Sequence, residues 1–297
     1  MTPPHLALIL IVCLVWGFNF VVAKVAVVEI SPMMLAGSRF ALLTVVLIPF
    51  LKVVPGQMWR IAAVAVTMGG AHFALMFAAL DISDNVSVIA IGVQLNVPFA
   101  TLLSVFVLRE QVGWRRWLGM GIAFGGVMLI SFDPAVFTAL EGMALVIIAA
   151  FMAALGMIFM RQMVGVGVFT LQAWIAILSW PPLFLLTALF EPHEFARTLD
   201  ASWLAWSAVL YTAAGASLLG HVGMYYLLQR YEVSLISPIT LLAPVIGVFF
   251  GVTLWGDELS WRMIVGGLMT LGGVLAIALR KPPPADPKAL AVKAAAG

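Results

Sequence analysis

The chain has 297 residues, of which 64% are hydrophobic and only 9% are charged, and its formal net charge is +2. A soluble domain carries about 25% charged residues, so this composition excludes a water-soluble globular protein and predicts an integral membrane protein. The single cysteine, Cys13, excludes an intrachain disulfide.

Ten apolar runs along the chain are long enough to cross the hydrocarbon of a bilayer as α-helices, which takes about 20 residues each. In chain order they cover residues 5–26, 32–53, 59–80, 86–108, 115–132, 142–163, 168–189, 203–228, 235–254 and 262–279. The first run lacks a preceding Lys or Arg and a convincing cleavage site, so we expect it to be retained. The fold class predicted is an all-α membrane protein with ten transmembrane helices. Because every connection is short, any functional site is expected among those helices.

The stretch 86–130 recurs at 233–276, which indicates a tandem duplication. A shift of 147 positions sets Val86-Ser87 on Val233-Ser234, Trp114-Arg115 on Trp261-Arg262, and Gly125-Gly126-Val127 on Gly272-Gly273-Val274. Pro98 and Pro244 match only after a slip of one residue. The sequence therefore predicts a first five-helix repeat at 1–137 and a second at 138–280. The remaining residues, 281–297, have no apolar stripe and are expected to form a disordered cytoplasmic tail.

The positions of the cations predict how the chain is oriented, because Lys and Arg are retained on the cytoplasmic side of a membrane. With the N-terminus inside, the inner ends carry Lys52, Arg60, Arg109, Arg115, Arg116, Arg161, Arg230, Arg280, Lys281, Lys288 and Lys293, and the outer ends only Lys24, Arg39, Arg197 and Arg262. Both termini are therefore expected to be cytoplasmic. An odd number of spans in each half predicts that the two repeats are inverted, as in secondary transporters. Channels and membrane enzymes that arose by duplication are the alternatives.

Polar side chains far from either interface are costly in lipid, so they are expected to face a cavity or a neighbouring helix. The candidates are Asn19, His72, Gln94, Asn96, Thr101, Gln172, Thr212, His221, Tyr225, Tyr226, Ser237 and Thr240. Every Asp and Glu falls at a segment end, which argues against a buried-carboxylate proton exchanger and against cationic drugs as substrates. Arg39 and Lys24 are expected one or two turns from the outer face, so no cation is expected near mid-membrane. A neutral or zwitterionic solute fits this pattern best.

Two of these side chains have a functional and a structural interpretation that the sequence leaves open. His72 can bind a solute or titrate, or it can simply bond to a carbonyl of a neighbouring helix. The amide of Asn19 can bond to a substrate or join two helices.

Three prolines are candidate gating hinges: Pro98, Pro238 and Pro244. A proline inside a helix removes one backbone donor, so Pro98 is expected to leave the carbonyl of Gln94 free, and Pro244 that of Thr240. The alternative is that the kinks only adapt helix packing. No enzyme motif, nucleotide fingerprint or metal-ligand spacing is present, so no catalytic residue, metal or cofactor is expected.

The two five-helix units, the Trp16 to Phe20 stretch, the turn that holds Glu110 and the Gly-Gly-Val helices resemble the EamA-type drug/metabolite transporter superfamily. Within it the chain is similar to bacterial exporters of amino acids and related metabolites, particularly aromatic ones. The resemblance implies a bacterial inner-membrane protein whose helices 1, 3, 4, 6, 8 and 9 surround a central cavity. Carried onto this sequence, it implies a substrate-binding set of Asn19, His72, Met76, Gln94, Tyr225 and Ser237. Glu110 would belong to the structural pattern of the family.

The function expected is export of small neutral or zwitterionic metabolites, amino acids first, by alternating access. The alternatives are efflux of unrelated drugs or metabolites by proton antiport, and a non-transport membrane scaffold or channel. The expected partners are a small-molecule substrate and the lipid bilayer, with no nucleic acid. The coupling ion and the choice between a monomer and a homodimer stay open.

Overall fold

The computed structural model of this protein describes residues 1–82, 92–130, 140–256 and 259–278. These residues are helical apart from short connections, and no strand occurs among them. The tail predicted at 281–297 and the start of the fourth predicted segment lie outside the described residues.

Helix occurs within each of the ten predicted segments. The α-helices are α1 Pro3–Val27, α2 Pro32–Leu47, α3 Met58–Val64, α4 His72–Ile82, α5 Asn96–Val107, α6 Trp114–Ile130, α7 Leu140–Arg161, α8 Val168–Phe190, α9 Glu194–Leu199, α10 Trp203–Tyr211, α11 Val222–Leu228, α12 Val233–Ile239, α13 Leu242–Phe250 and α14 Trp261–Ala278. Three π-helical stretches interrupt or extend them. Ala65–Ala71 joins α3 to α4, Thr212–His221 joins α10 to α11, and Gly251–Trp255 follows α13.

Seven helical stretches in the described part of the chain are long and apolar enough to cross a membrane. They are Pro3–Val27, Pro32–Phe50, Met58–Met76, Glu141–Arg161, Val168–Phe190, Trp203–Leu228 and Val233–Leu254, with Asn96–Val107 and Trp261–Ile277 as shorter apolar helices. Large apolar side chains such as Val45, Phe106 and Leu268 are exposed on the outside of the bundle. In water these exposed side chains would be unfavourable, whereas lipid solvates them, so the fold is that of a membrane protein.

The first long helix of each half packs against the other half of the chain. Helix α1 contacts α10, α11, α13 and the π stretch between α10 and α11, whereas α7 contacts α3, α4, α5 and the π stretch between α3 and α4. Helix α2 packs on α8, and α6 packs on α14. Each of these contacts therefore has a counterpart in which the two halves exchange places. The arrangement leaves a cavity at the centre, and α6 and α14 lie together outside it.

The connections at the end of the bundle that holds the N-terminus, which we call the N-terminal face, tie the two halves together. Oη of Tyr231 bonds to Nδ1 of His5 at 2.7 Å. The carboxylate of Glu110 accepts the backbone N–H groups of Val233 (2.9 Å) and Ser234 (3.0 Å), where α12 begins. The carboxylate thus satisfies two donors that every helix N-terminus leaves unpaired.

A second group of connections lies at the opposite end of the bundle, which we call the distal face. Glu29 accepts the backbone N–H of Ser202 at 2.6 Å and its hydroxyl at 2.7 Å. Ser31 donates its backbone N–H to Glu194 and its hydroxyl to Glu191. Carboxylates therefore join the starts of α2 and α10 to connections from the other half of the chain.

Candidate functional site

A cavity of about 230 Å³ lies at the centre of the bundle, between the two halves of the chain. Its walls come from α1, α2, α4, α7, the start of α5 and the start of α13, from both long π stretches, and from the residues just before α5 and α13. The lining residues are Trp16, Asn19, Arg39, Met68, His72, Val93, Gln94, Asn96, Ala153, Met157, Ala216, His221, Thr240, Ala243 and Pro244. Two larger pockets, one between α1, α8 and α11 and one between α2, α4 and α8, are lined almost wholly by apolar residues. Among these pockets of the described residues, the central cavity is the one to which both halves contribute several polar side chains.

Two helices are broken where they reach this cavity. A turn at Gln94 and Leu95 precedes α5, and Thr240 and Leu241 separate α12 from α13. Pro98 and Pro244 are each the third residue of the helix that follows the break, where a missing backbone donor is tolerated. The half-helices α5 and α13 therefore begin at the cavity, and the positive ends of their dipoles face it.

The carbonyl groups before these prolines are not free, contrary to the expectation from sequence. The carbonyl of Gln94 accepts the N–H of Val97 at 3.2 Å, and that of Thr240 accepts the N–H of Ala243 at 2.9 Å. In each case the carbonyl accepts the N–H of the residue three positions later, as in a 3₁₀ turn. This bond replaces the α-helical bond from the fourth residue, which is proline and has no N–H.

Both long π stretches contribute to the cavity wall. Ala65–Ala71 and Thr212–His221 begin 147 positions apart, which is the shift of the sequence repeat. Met68 lies in the first stretch and His221 ends the second, while His72 follows the first directly. Single π turns are rare in helices and occur often at functional sites.

The two histidines of the cavity are held by different contacts. Nδ1 of His72 donates to the carbonyl of Ala149 at 2.9 Å, which leaves Nε2 as the second polar atom of the ring. The ring of His221 lies edge-on to Trp16, with ring centroids 5.4 Å apart. Trp16 is fixed in turn by its indole N–H, which donates to the carbonyl of Ala216 at 3.0 Å.

Arg39 is a cavity residue that the sequence did not predict, because the helix spacing placed it near the outer face. Its side chain lines the cavity and is only 9% exposed. Nε and Nη2 are buried and have no hydrogen-bond partner among the described residues. The guanidinium lies 4.8 Å from the ring centroid of Phe40 and 4.6 Å from that of Phe73, so aromatic faces supply its contacts. A cation seven residues into an apolar helix, about 10 Å from its start, was the signal available in the sequence.

The structure brings together three of the six predicted binding residues, Asn19, His72 and Gln94, on the cavity wall. Oδ1 of Asn19 is buried without a hydrogen-bond partner in the described part of the chain. Pro244 lines the same cavity.

The other predicted binding residues lie away from the wall. Met76 packs against Ala79 and Val146. Tyr225 is 1% exposed, and its ring lies 6.0 Å from that of His221, directly behind the cavity surface. Ser237 is fully buried, and its hydroxyl has no partner among the described residues.

The two remaining predicted hinges also lie outside the cavity wall. Pro238 is buried inside α12, and Pro98 is half-buried in the first turn of α5. Both stand within four residues of a helix break.

The charged side chains on the described cavity wall are positive only. Arg39 is a permanent cation, and none of the described lining residues is an aspartate or glutamate. No group of three His, Cys, Asp or Glu side chains in the described ranges is arranged to hold a metal ion. The arrangement can bind a small solute through amides, imidazoles and a guanidinium, with Trp16, Met68 and Met157 as an apolar wall.

Comparison with known proteins agrees with the helical bundle. The model of the EamA-like transporter family matches residues 4–132 and 140–279. A protein of Salmonella typhimurium described as a probable amino-acid metabolite efflux pump is 28% identical over 277 residues, covering 90% of this chain and 92% of that protein. A protein of Escherichia coli with the same description is 27% identical, again over 90% of this chain and 92% of its own length. An uncharacterized transporter of Archaeoglobus fulgidus is 28% identical over 264 residues, covering 86% of this chain and 92% of that protein. One solved crystal structure superposes with a TM-score of 0.79 at 16% identity, over 94% of this chain and 98% of its own, so the two share a fold.

Proposed function

We propose that this chain, which belongs to the EamA-like transporter family, exports small neutral or zwitterionic metabolites, amino acids first, by alternating access. Its family and its long apolar helices make it a membrane transporter. What we propose beyond this is the class of solute, the outward direction of transport and the alternating-access mechanism.

The main observation in support of this function is the polar cavity between the two halves. Its volume of about 230 Å³ is below the range of about 300–1,000 Å³ that suits drug-sized ligands. This size favours a metabolite over the bulky compounds of a drug-efflux pump. Aromatic or other large apolar side chains would lie against Trp16, Met68 and Met157.

The pairing of helices supports inverted repeats at 1–137 and 138–280. The contacts of α1 with the second half match those of α7 with the first, and α6 runs antiparallel to α14. Two similar halves of opposite sense can exchange conformations, and that exchange exposes a central site to one side of the membrane and then to the other. The breaks before α5 and α13 and the two long π stretches are the segments at which such bending would occur.

We further propose that the N-terminal face is cytoplasmic and that the membrane is the bacterial inner membrane. Lys52, Arg109, Arg116, Arg161 and Arg230 belong to connections or helix ends of that face, and cations are retained in the cytoplasm. The two relatives described as probable amino-acid metabolite efflux pumps support amino acids as the solutes.

Counterflow in proteoliposomes tests this function. The purified chain is reconstituted with a high internal concentration of one unlabelled amino acid, and uptake of the labelled form is followed for a panel that includes phenylalanine, methionine and threonine. A carrier gives transient, saturable accumulation, which we expect for at least the apolar members. Flux that rises linearly with concentration would indicate a channel, and absence of flux for the whole panel would overturn the proposal.

The same vesicles separate facilitated diffusion from proton antiport. We expect counterflow without a pH gradient, because no aspartate or glutamate lines the described part of the cavity. Net accumulation of the solute that requires a pH gradient would instead favour proton antiport.

A further inference from the structure

We propose that Arg39 and Asn19 recognise the two charged ends of an amino-acid head group, the guanidinium binding the carboxylate and Oδ1 of Asn19 the ammonium. This inference deepens the proposed function and rests on it, because it assigns the substrate class to particular atoms of the same cavity.

Arg39 is a buried cation without a counter-ion among the described residues. A charge removed from water is strongly unfavourable unless it is paired, and Nε and Nη2 have no hydrogen-bond partner among the described residues. The rings of Phe40 and Phe73 contact the guanidinium but do not accept its hydrogen bonds in the plane of the group. Nε and Nη2 are therefore covered but unsatisfied donors of a residue that lines the cavity. A small turn of the side chain toward the cavity would present this edge of the guanidinium to a ligand, and its geometry suits the two oxygens of a carboxylate.

The surroundings of Arg39 also favour an anion. His72, His221 and Tyr225 are within electrostatic range of the guanidinium, and none of them carries a negative charge at neutral pH. The N-terminal ends of α5 and α13 meet the cavity beside Gln94 and Thr240, which adds positive potential. Half-helix N-termini that point into a membrane cavity are a known means of binding substrate carboxylates.

Asn19 supplies a hydrogen-bond acceptor to the cavity that Arg39 lines. Its Oδ1 is a buried hydrogen-bond acceptor without a partner in the described ranges, and the residue lines the cavity from α1. An ammonium group has three donors and no acceptor, so it satisfies this atom without adding a buried negative charge. Among the described residues that line this cavity of about 230 Å³, Arg39 supplies an unpaired cation and Asn19 an unpaired acceptor, a combination that suits a small zwitterion.

The proposal predicts which analogues bind. Phenylalanine should bind, whereas phenylalaninamide and phenethylamine lack the carboxylate and should bind at least about tenfold more weakly, because a charge-assisted bidentate pair is lost. The deaminated acid, 3-phenylpropionate, keeps the contact with Arg39 and should rank between phenylalanine and the amide.

The test combines binding and transport on the full-length protein. Binding of phenylalanine and its three analogues is measured by thermal stabilisation in detergent, and competition is measured in counterflow of labelled phenylalanine. The variants are Arg39→Gln, Arg39→Lys and Asn19→Leu, with Arg115→Gln as the matched control, because Arg115 is exposed at the start of α6. We expect Arg39→Gln to weaken phenylalanine at least about tenfold with little effect on phenethylamine, Arg39→Lys to restore part of the loss, and Arg115→Gln to change nothing. Asn19→Leu should let 3-phenylpropionate compete as well as phenylalanine.

Folding failure is separated from loss of binding by the melting temperature without ligand. Removal of an unpaired buried charge should leave that temperature unchanged or raise it, whereas a purely structural arginine would lower it. Phenylalanine and its amide competing equally in a wild-type protein that transports phenylalanine would overturn the head-group assignment alone. Selective binding without counterflow would overturn the transport function alone, and absence of both would overturn the two together.

Discussion

Gly126 of α6 lies so close to Gly266 of α14 that a methyl group on the first would overlap the carbonyl oxygen of the second. The contact is reciprocal, because a methyl group on Gly273 would overlap the carbonyl oxygen of Gly119. Gly119 and Gly126 stand 147 positions before Gly266 and Gly273, so each contact maps onto the other when the halves are exchanged. Midway between them the hydroxyl of Thr270 lies 3.3 Å from the carbonyl of Ala123, again 147 positions earlier. The partner number falls as the residue number rises, so the two helices are antiparallel.

This crossing predicts a matched pair of substitutions. Gly126→Ala and Gly273→Ala should each destabilise the protein by about 1–3 kcal/mol, because the added methyl group cannot fit without a backbone shift. Gly121→Ala and Gly272→Ala are the controls, since a methyl group at either position meets nothing within 4 Å and should be neutral or mildly stabilising. Thermal unfolding in detergent measures the difference. Equal melting temperatures for Gly126→Ala and Gly121→Ala would contradict the close crossing.

Glu110 predicts a second stability change, at the N-terminal face. Glu110→Ala removes the acceptor of two N–H groups at the start of α12 and should cost about 1–2 kcal/mol, the range seen for lost helix caps. Glu141→Ala, at an exposed site in the first turn of α7, should cost less. The neighbouring pair of Arg116 and Glu232, 2.6 Å apart, is partly exposed and is expected to contribute weakly on its own. Chemical unfolding of the purified variants measures the loss of unfolding free energy at each site. A larger loss for Glu141→Ala than for Glu110→Ala would be inconsistent with the capping role of Glu110.

The carboxyl group of Glu29, at the distal face, is expected to make the stability of the protein depend on pH. The backbone N–H of Ser202 holds the pKa of the Glu29 carboxyl below its ordinary value of 4.5, and the Ser202 hydroxyl adds to the effect. A carboxyl whose pKa is lowered by folding stabilises the folded chain above the unfolded pKa and loses that contribution as the pH falls through the folded pKa. The melting temperature of the wild type should therefore exceed that of Glu29→Gln at pH 7, and the gap should close as the pH drops below 4.5. Asp200→Asn, at an exposed neighbouring site, is the control. A gap that widens in acid would refute the assignment.

His72 connects the cavity to α7. His72→Ala should reduce the apparent affinity for a transported amino acid by about tenfold and should cost about 0.5–1.5 kcal/mol of stability for the lost bond to Ala149. His72→Gln keeps a donor for that carbonyl but removes the second ring nitrogen. If the ring also contacts the solute, the stability should recover in His72→Gln while the affinity stays low. Recovery of both quantities would assign the histidine to structure alone.

The proposed orientation predicts the labelling of single cysteines. Cys13 is fully buried and should not react with a membrane-impermeant maleimide. In a Cys13→Ser background, Leu199→Cys at the distal face should be labelled in intact cells, and Val164→Cys at the N-terminal face only after permeabilisation. Both positions are strongly exposed, at 80% and 75%. The reverse pattern would place the N-terminal face outside the cell.

Periodicity and composition predicted the helices well because lipid enforces long apolar segments. They also predicted Asn19, His72 and Gln94, which line the cavity, because an uncharged polar group in mid-segment has few roles other than packing or binding. Arg39 was missed because its backbone lies two turns from the helix start, and only the structure reveals how far a long side chain reaches.

Met76 and the π stretches show what a regular helical pattern hides. Met76 shares a face with His72 by spacing, but α4 packs against α7 at that level, so Met76 contacts Ala79 and Val146 rather than the cavity. A π turn adds one residue to a helical turn, and in these stretches the added residue is as apolar as its neighbours. A sequence pattern that assumes 3.6 residues per turn therefore does not reveal it.

The matching π stretches also carry information about descent. A π turn is a rare irregularity, and two independent origins beginning at Ala65 and at Thr212, 147 positions apart, would be an improbable coincidence. We infer that the bulge already existed in the ancestral single unit. On this inference the bulge predates the duplication, and it has persisted while most side chains of the two halves have changed.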